Sequence, residues 1–162
     1  MEKCCMDELF MEEALAEARL AGQAGDVPVG AVIVQNGQII ARAHNEKEAG
    51  RNAVSHAELL CVEEACRILQ RWRLSDCTLY VTMEPCPMCA GALWNARIGR
   101  IVFGIKDPVA GSCGSVWSFA DSPMHWKPET TSGIKAKECK ELLSLFFEKR
   151  RQENDRRKED RP

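Results

Sequence analysis

Cys86 and Cys89, three residues apart in Glu84-Pro85-Cys86-Pro87-Met88-Cys89, constrain this chain more than any other feature. They follow an apolar run over residues 78–82 that reads as a strand, and they open a segment to residue 95 that reads as a helix. Prolines are tolerated at such a start because first-turn N–H groups have no intrahelical partner. At positions i and i+3 of one turn, both sulfurs lie on the same face and can share an ion. The partial positive charge of a helix N-terminus lowers thiol pKa and favours the thiolates that a metal needs.

The second segment is His56-Ala57-Glu58, at the predicted start of a helix over residues 56–69 that Ser55 can cap. His56 would add an imidazole nitrogen to the two sulfurs. A Cys, Cys, His set suits Zn²⁺, and a fourth position left to water marks a catalytic site. Zn²⁺ lowers the pKa of water toward about 7. Glu58 then points beside the metal, where a carboxylate can take the water's proton and pass it to a departing amine. Two thiolates and a neutral imidazole cancel the ion's charge, which keeps hydroxide and Glu58 basic. Two other readings stay open for the pair of cysteines. A Cys-x-x-Cys at a helix start is also the pattern of thiol redox proteins. A structural zinc site would need a fourth ligand, for which His44, His125, Cys61 and Cys77 are the candidates.

Around these segments the chain reads as one domain over residues 1–151. A first helix spans 7–21, with Leu9, Phe10, Ala14, Ala18 and Ala21 at helical spacing. Apolar runs over 29–34 and 39–43 flank Asn36-Gly37, a type I′ hairpin turn. Leu59, Leu60, Val62, Ala65, Cys66 and Leu69 form the apolar face of the helix over 56–69. Residues 100–105 are a strand, 106–114 a loop, 115–131 a short helix followed by loop, and 135–151 a last helix. The charged tail over 152–162 is expected to fray. Strands alternating with helices after an opening hairpin predict one mixed sheet with helices on both faces. The nine cysteines are odd in number and lack framework spacing. With no apolar leader, they predict a reducing, cytoplasmic setting rather than a disulfide scaffold. A formal net charge of -2 means that any nucleic-acid contact must come from local basic patches.

Taken together, the H-x-E and P-C-x-x-C segments resemble the cytidine/deoxycytidylate deaminase superfamily. Within it, the chain resembles the bacterial tRNA-specific adenosine deaminases. That likeness is carried by residues 27–32, His44-Asn45, residues 84–92 and 97–104, Lys106-Asp107, and Phe146-Phe147 before Arg150-Arg151. The resemblance implies a three-layer α/β/α cytidine-deaminase-like fold with a mixed five-stranded sheet. It implies one Zn²⁺ per subunit, held by His56, Cys86 and Cys89, with Glu58 as proton shuttle. It further implies a homodimer that converts wobble adenosine to inosine in a tRNA anticodon stem-loop. By the same likeness, Val29 is a wall of the base pocket, Asn45 hydrogen-bonds the target nucleotide and Asp107 lies near its ribose. Phe147 and Arg151 match the C-terminal helix that meets the anticodon loop.

These roles are physically sensible, because loop bases are read by stacking and by polar contacts to their edges. Lys149, Arg150, Arg151, Arg156, Arg157 and Lys158 offer phosphate contacts. Phe146 and Phe147 are adjacent and face different ways on a helix, so one of them is expected in the core. Asn52-Ala53-Val54-Ser55 stands where members of the family often carry Asp-Pro-Thr-Ala. Pro87 and Trp94 also echo bacterial guanine deaminases. A deaminase of a free nucleobase or nucleoside, such as guanine or cytidine, is therefore the alternative. A non-catalytic RNA-binding module is a further one, which the presence of Glu58 opposes.

Overall fold

The computed structural model describes the backbone of residues 2–159 and the side chains of residues 5–158. Helix α1 (Glu2–Gln23) leads into a hairpin of β1 (Gly30–Gln35) and β2 (Gln38–His44). Then come α2 (Ala57–Leu69), β3 (Cys77–Met83), α3 (Pro87–Asn95) and β4 (Arg100–Ile105). A short 3-10 turn (Phe119–Asp121), β5 (Glu129–Ser132) and α4 (Ala136–Glu159) complete the chain. Among the described residues, no helix is long and apolar enough to cross a membrane.

The five strands form one mixed sheet in the order β2-β1-β3-β4-β5. β1 pairs antiparallel with β2 and with β3, whereas β3, β4 and β5 run parallel. Asn36 and Gly37 both have positive φ, the type I′ geometry that keeps the hairpin twist right-handed. Side chains alternate across the pleat. Ala31, Ile33, Leu79, Val81, Ile101 and Phe103 pack with Ala57, Cys61 and Ala65 of α2 and Leu93 of α3. Val32, Val34, Tyr80 and Val102 pack on the other face with Met11, Ala14 and Leu15 of α1 and Cys139 of α4. The fold is thus three-layered, with the sheet between two pairs of helices.

Gly30 is where α1 meets the sheet most closely: a Cβ there would lie 2.1 Å from the Ala14 carbonyl oxygen and 2.3 Å from the Ala18 nitrogen. Only glycine permits that approach. Asp7, on the same helix, is buried, accepting from the Tyr80 hydroxyl at 2.8 Å and from two Arg100 nitrogens at 2.7 and 2.8 Å.

Several expectations are corrected here. Helix α1 starts at Glu2 rather than 7, and Leu9, expected in the core, is 58% exposed while Met11 and Leu15 fill that place. The buried face of α2 is Ala57, Glu58, Cys61 and Ala65, leaving Leu59 and Leu60 half-buried. Residues 129–131, expected as loop, form the polar fifth strand together with Ser132. Helix α4 continues through the segment expected to fray as far as Glu159, and residues 160–162 lie outside the described chain.

Candidate active site

The sheet brings four chain ends to one edge. β1 begins where β3 finishes, since Ala31 pairs with Val81 and Gly30 with His44 at the end of β2. β4 also finishes there, with Ile105 opposite Met83. The residues leaving these strands surround a cleft of ≈ 240 Å³ lined by Val27, Val29, Asn45, Lys47, His56, Glu58, Met83, Glu84, Cys86 and Asp107. A cleft outside the carboxyl ends of parallel strands is the usual ligand position in α/β folds.

His56 and Cys86 occupy the N-cap positions of α2 and α3, each with extended backbone. Cys89 lies within the first turn of α3 and is buried. Ser55 was expected to cap α2, but the cap is His56, whose side chain makes no capping bond. The first N–H of that helix, on Ala57, is met instead by Asn45 Oδ1 at 2.9 Å. The His56 ring is thereby free to face the cysteines. At the start of α3, Pro87 has no N–H to satisfy.

His56 Nδ1 lies 3.7 Å from Cys86 Sγ and 3.6 Å from Cys89 Sγ. All three ligand atoms are within 4.8 Å of one another. Tetrahedral Zn²⁺ with ordinary Zn–S and Zn–N bonds would place sulfur and nitrogen about 3.5 Å apart. The donors therefore fit one metal ion, and three of them leave a coordination position open. Among the described residues no fourth ligand joins the group. His44 Nδ1 is 2.8 Å from Glu17, Cys61 and Cys77 face Ala31 O and Asp76, and His125 packs edge-on against Trp94. A closed four-ligand structural site is not formed.

The electrostatics follow from burial and hydrogen bonding. Hydrogen bonds from the Cys89 thiol and from His56 pull the Cys86 thiol down to about 4, a thiolate at neutral pH. The same bond, with burial, pushes Cys89 up. His56 is raised, chiefly by its contact with Cys86. Glu58 is only 4% exposed, and burial pushes its carboxyl up to about 7. A carboxyl balanced near neutrality can both take and give a proton.

Val29, Asn45 and Asp107 all line the cleft. The amide of Asn45 is already engaged, with Oδ1 on Ala57 N–H and Nδ2 donating to Val27 O at 3.2 Å. Phe147 and Arg151 do not line it. Phe147 is 40% exposed on α4 and meets the half-buried Phe146 edge-on, so neither phenylalanine is fully in the core. Arg150 stacks over Phe146 and donates to Gly25 O at 3.4 Å, fastening α4 beside the turn that leads into Val27.

Four cleft residues had no role assigned from the sequence: Val27, Lys47, Met83 and Glu84. Glu84 is buried, and its carboxylate accepts N–H bonds from Asp107 at 3.0 Å, Cys113 at 2.9 Å and Ser115 at 3.1 Å, and one from the Ser115 hydroxyl. A Cβ on Gly111 would lie 2.4 Å from that carboxylate. The loop over residues 107–115 is knotted around one side chain next to the metal-ligand segment.

The chain belongs to the cytidine and deoxycytidylate deaminase family, whose zinc-binding region model matches residues 5–105. It is similar to the tRNA-specific adenosine deaminase of Bacillus subtilis (strain 168), 48% identical over 87% of this chain and 88% of that protein. A solved structure from work on A-to-I editing by tRNA:A34 deaminases at the wobble position matches with a TM-score of 0.80 and 43% identity, over 83% of this chain and 98% of that one. A guanine deaminase structure from Bacillus subtilis matches with a TM-score of 0.60 and 34% identity, over 76% of this chain and 82% of that one.

Proposed function

We propose that this protein hydrolytically deaminates the wobble adenosine of a tRNA anticodon loop to inosine. The observation that carries the reading is the buried Glu58 carboxyl beside the His56, Cys86 and Cys89 donors, with Glu58, His56 and Cys86 lining one cleft. Likeness to tRNA adenosine deaminases over most of the chain favours RNA over a free base. His56, Cys86 and Cys89 would hold one Zn²⁺ per subunit, which supplies the Lewis acidity that makes water a nucleophile near neutral pH.

In this reading, Val29 packs against the adenine and Asp107 stands near its ribose. Asn45, on the same cleft, hydrogen-bonds the target nucleotide. Glu58 accepts a proton from the attacking water and delivers it to the exocyclic nitrogen, which leaves as ammonia while oxygen takes its place on the ring. An adenosine can reach such a site only when unstacked, as in an anticodon loop. Phe147, Arg151 and the neighbouring cations of α4 would serve the stem-loop outside the cleft, through stacking and phosphate contacts. Residues 1–151 act as the deaminase domain, and the protein works in the cytoplasm as a homodimer.

The test is incubation of the zinc-loaded protein with an anticodon stem-loop and, separately, with guanine, cytidine and adenosine. Inosine at the wobble position with no release of ammonia from the free compounds supports the reading. Ammonia from guanine with intact RNA rejects it in favour of the alternative.

A further inference from the structure

Trp117 is 66% exposed, more than any other aromatic side chain among the described residues. Exposed Trp72 and Phe147 have partners: the Arg73 guanidinium lies 4.5 Å over Trp72, and Phe147 meets Phe146 at 5.5 Å. Trp117 shows no ring or cation contact among the described residues. Its indole therefore keeps a large apolar surface in water, an arrangement that folding alone does not favour.

Its backbone, by contrast, is fixed. The Trp117 N–H donates to Gly111 O at 3.0 Å, and its carbonyl accepts from Gly114 N–H at 2.8 Å. Cys113 and Ser118 pair as an antiparallel bridge around it. Gly111 in turn donates to Asp107 O at 3.0 Å, and Asp107 is a wall of the cleft. Two hydrogen bonds and one glycine thus separate the cleft wall from the Trp117 backbone, a distance on the order of 10 Å. Glu84 anchors the same loop from beneath. The result is a hydrogen-bonded loop that carries an exposed indole a short backbone path from the cleft wall.

We infer that Trp117 is a stacking platform for a nucleobase adjacent to the one that enters the cleft. This rests on the reading that the substrate is a single-stranded RNA loop, where neighbours of the extruded base lose their own stacking partners. An aromatic side chain at that position replaces the lost stack without depending on base identity. Trp117 would contribute affinity for RNA and nothing to the chemistry on a nucleotide already seated.

The experiment measures dissociation constants in a Glu58→Ala background, so that bound RNA stays unedited. The ligands are an anticodon stem-loop and two copies of it, each lacking the base on one side of the wobble position. Trp117→Ala is expected to weaken the intact stem-loop on the order of tenfold, and Trp117→Phe to recover most of that loss. Removing one of the flanking bases should weaken binding when Trp117 is present and cost nothing further in Trp117→Ala. Equal affinity of Trp117 and Trp117→Ala for intact RNA overturns the inference. So does a base-removal penalty that is the same in both. If the parent protein neither binds nor edits the stem-loop, the RNA reading itself fails. If it edits normally and Trp117→Ala matches it, only the stacking role is lost.

Discussion

Glu58 combines two properties that pull against each other: its carboxyl is buried, and it faces the cleft. Burial raises its pKa to about 7, and its place beside the metal ligands gives that proton somewhere to go. Glu58→Ala should retain metal and fold while turnover falls by about 10²- to 10⁴-fold, measured as inosine formed under single-turnover conditions. Turnover close to that of the parent would remove Glu58 from the chemistry. Asn45 illustrates a different economy, since both ends of its amide are bonded to the protein. Replacing it by alanine leaves the first N–H of α2 without a partner, a loss of about 1 kcal/mol as for other N-cap deletions. A thermal melt of Asn45→Ala that overlays the parent would show that the bond to Ala57 contributes nothing.

At the scale of elements, the loop over 107–115 depends on one carboxylate. Glu84→Gln exchanges one acceptor oxygen for an amide NH₂ that faces main-chain donors, so at least one N–H among Asp107, Cys113 and Ser115 loses its partner. Leaving a buried donor unsatisfied costs about 1–3 kcal/mol. Faster hydrogen exchange at one or more of the Asp107, Cys113 and Ser115 amides is the expected readout; protection equal to the parent's at all three would mean the loop holds itself. None of this could be read from the sequence, because the partners of Glu84 lie 23 to 31 residues downstream and the loop lacks a repeating pattern. The hairpin was legible because Asn36-Gly37 is a local code, and β4 because its apolar run is buried on both faces. The start of α2 was misread for the opposite reason: its capping group comes from Asn45 across space, not from Ser55 next door. β5 escaped because Glu-Thr-Thr-Ser has no apolar residue to betray it. The metal donors were visible because a turn of helix fixes the spacing of Cys86 and Cys89. Phe147 and Arg151 were placed only by likeness, and their distance from the cleft reflects where α4 packs, which no local rule dictates.

For the whole molecule, the metal donors join two helices that otherwise touch the sheet independently. His56 belongs to the start of α2, and Cys86 and Cys89 to the start of α3. An ion held there binds only the folded arrangement, so its affinity adds to stability. Stripping it with a chelator should lower the melting temperature, and adding Zn²⁺ should restore it. A melt indifferent to chelation would mean that no ion bridges the two helices. The order of strands has its own consequence. The sheet ends on one side in β5, four residues long, without a large apolar side chain and tied at Glu129 to Arg100. So short and hydrophilic a border offers a visiting strand little to adhere to. Neighbouring copies cannot readily fuse their sheets across this border into fibres.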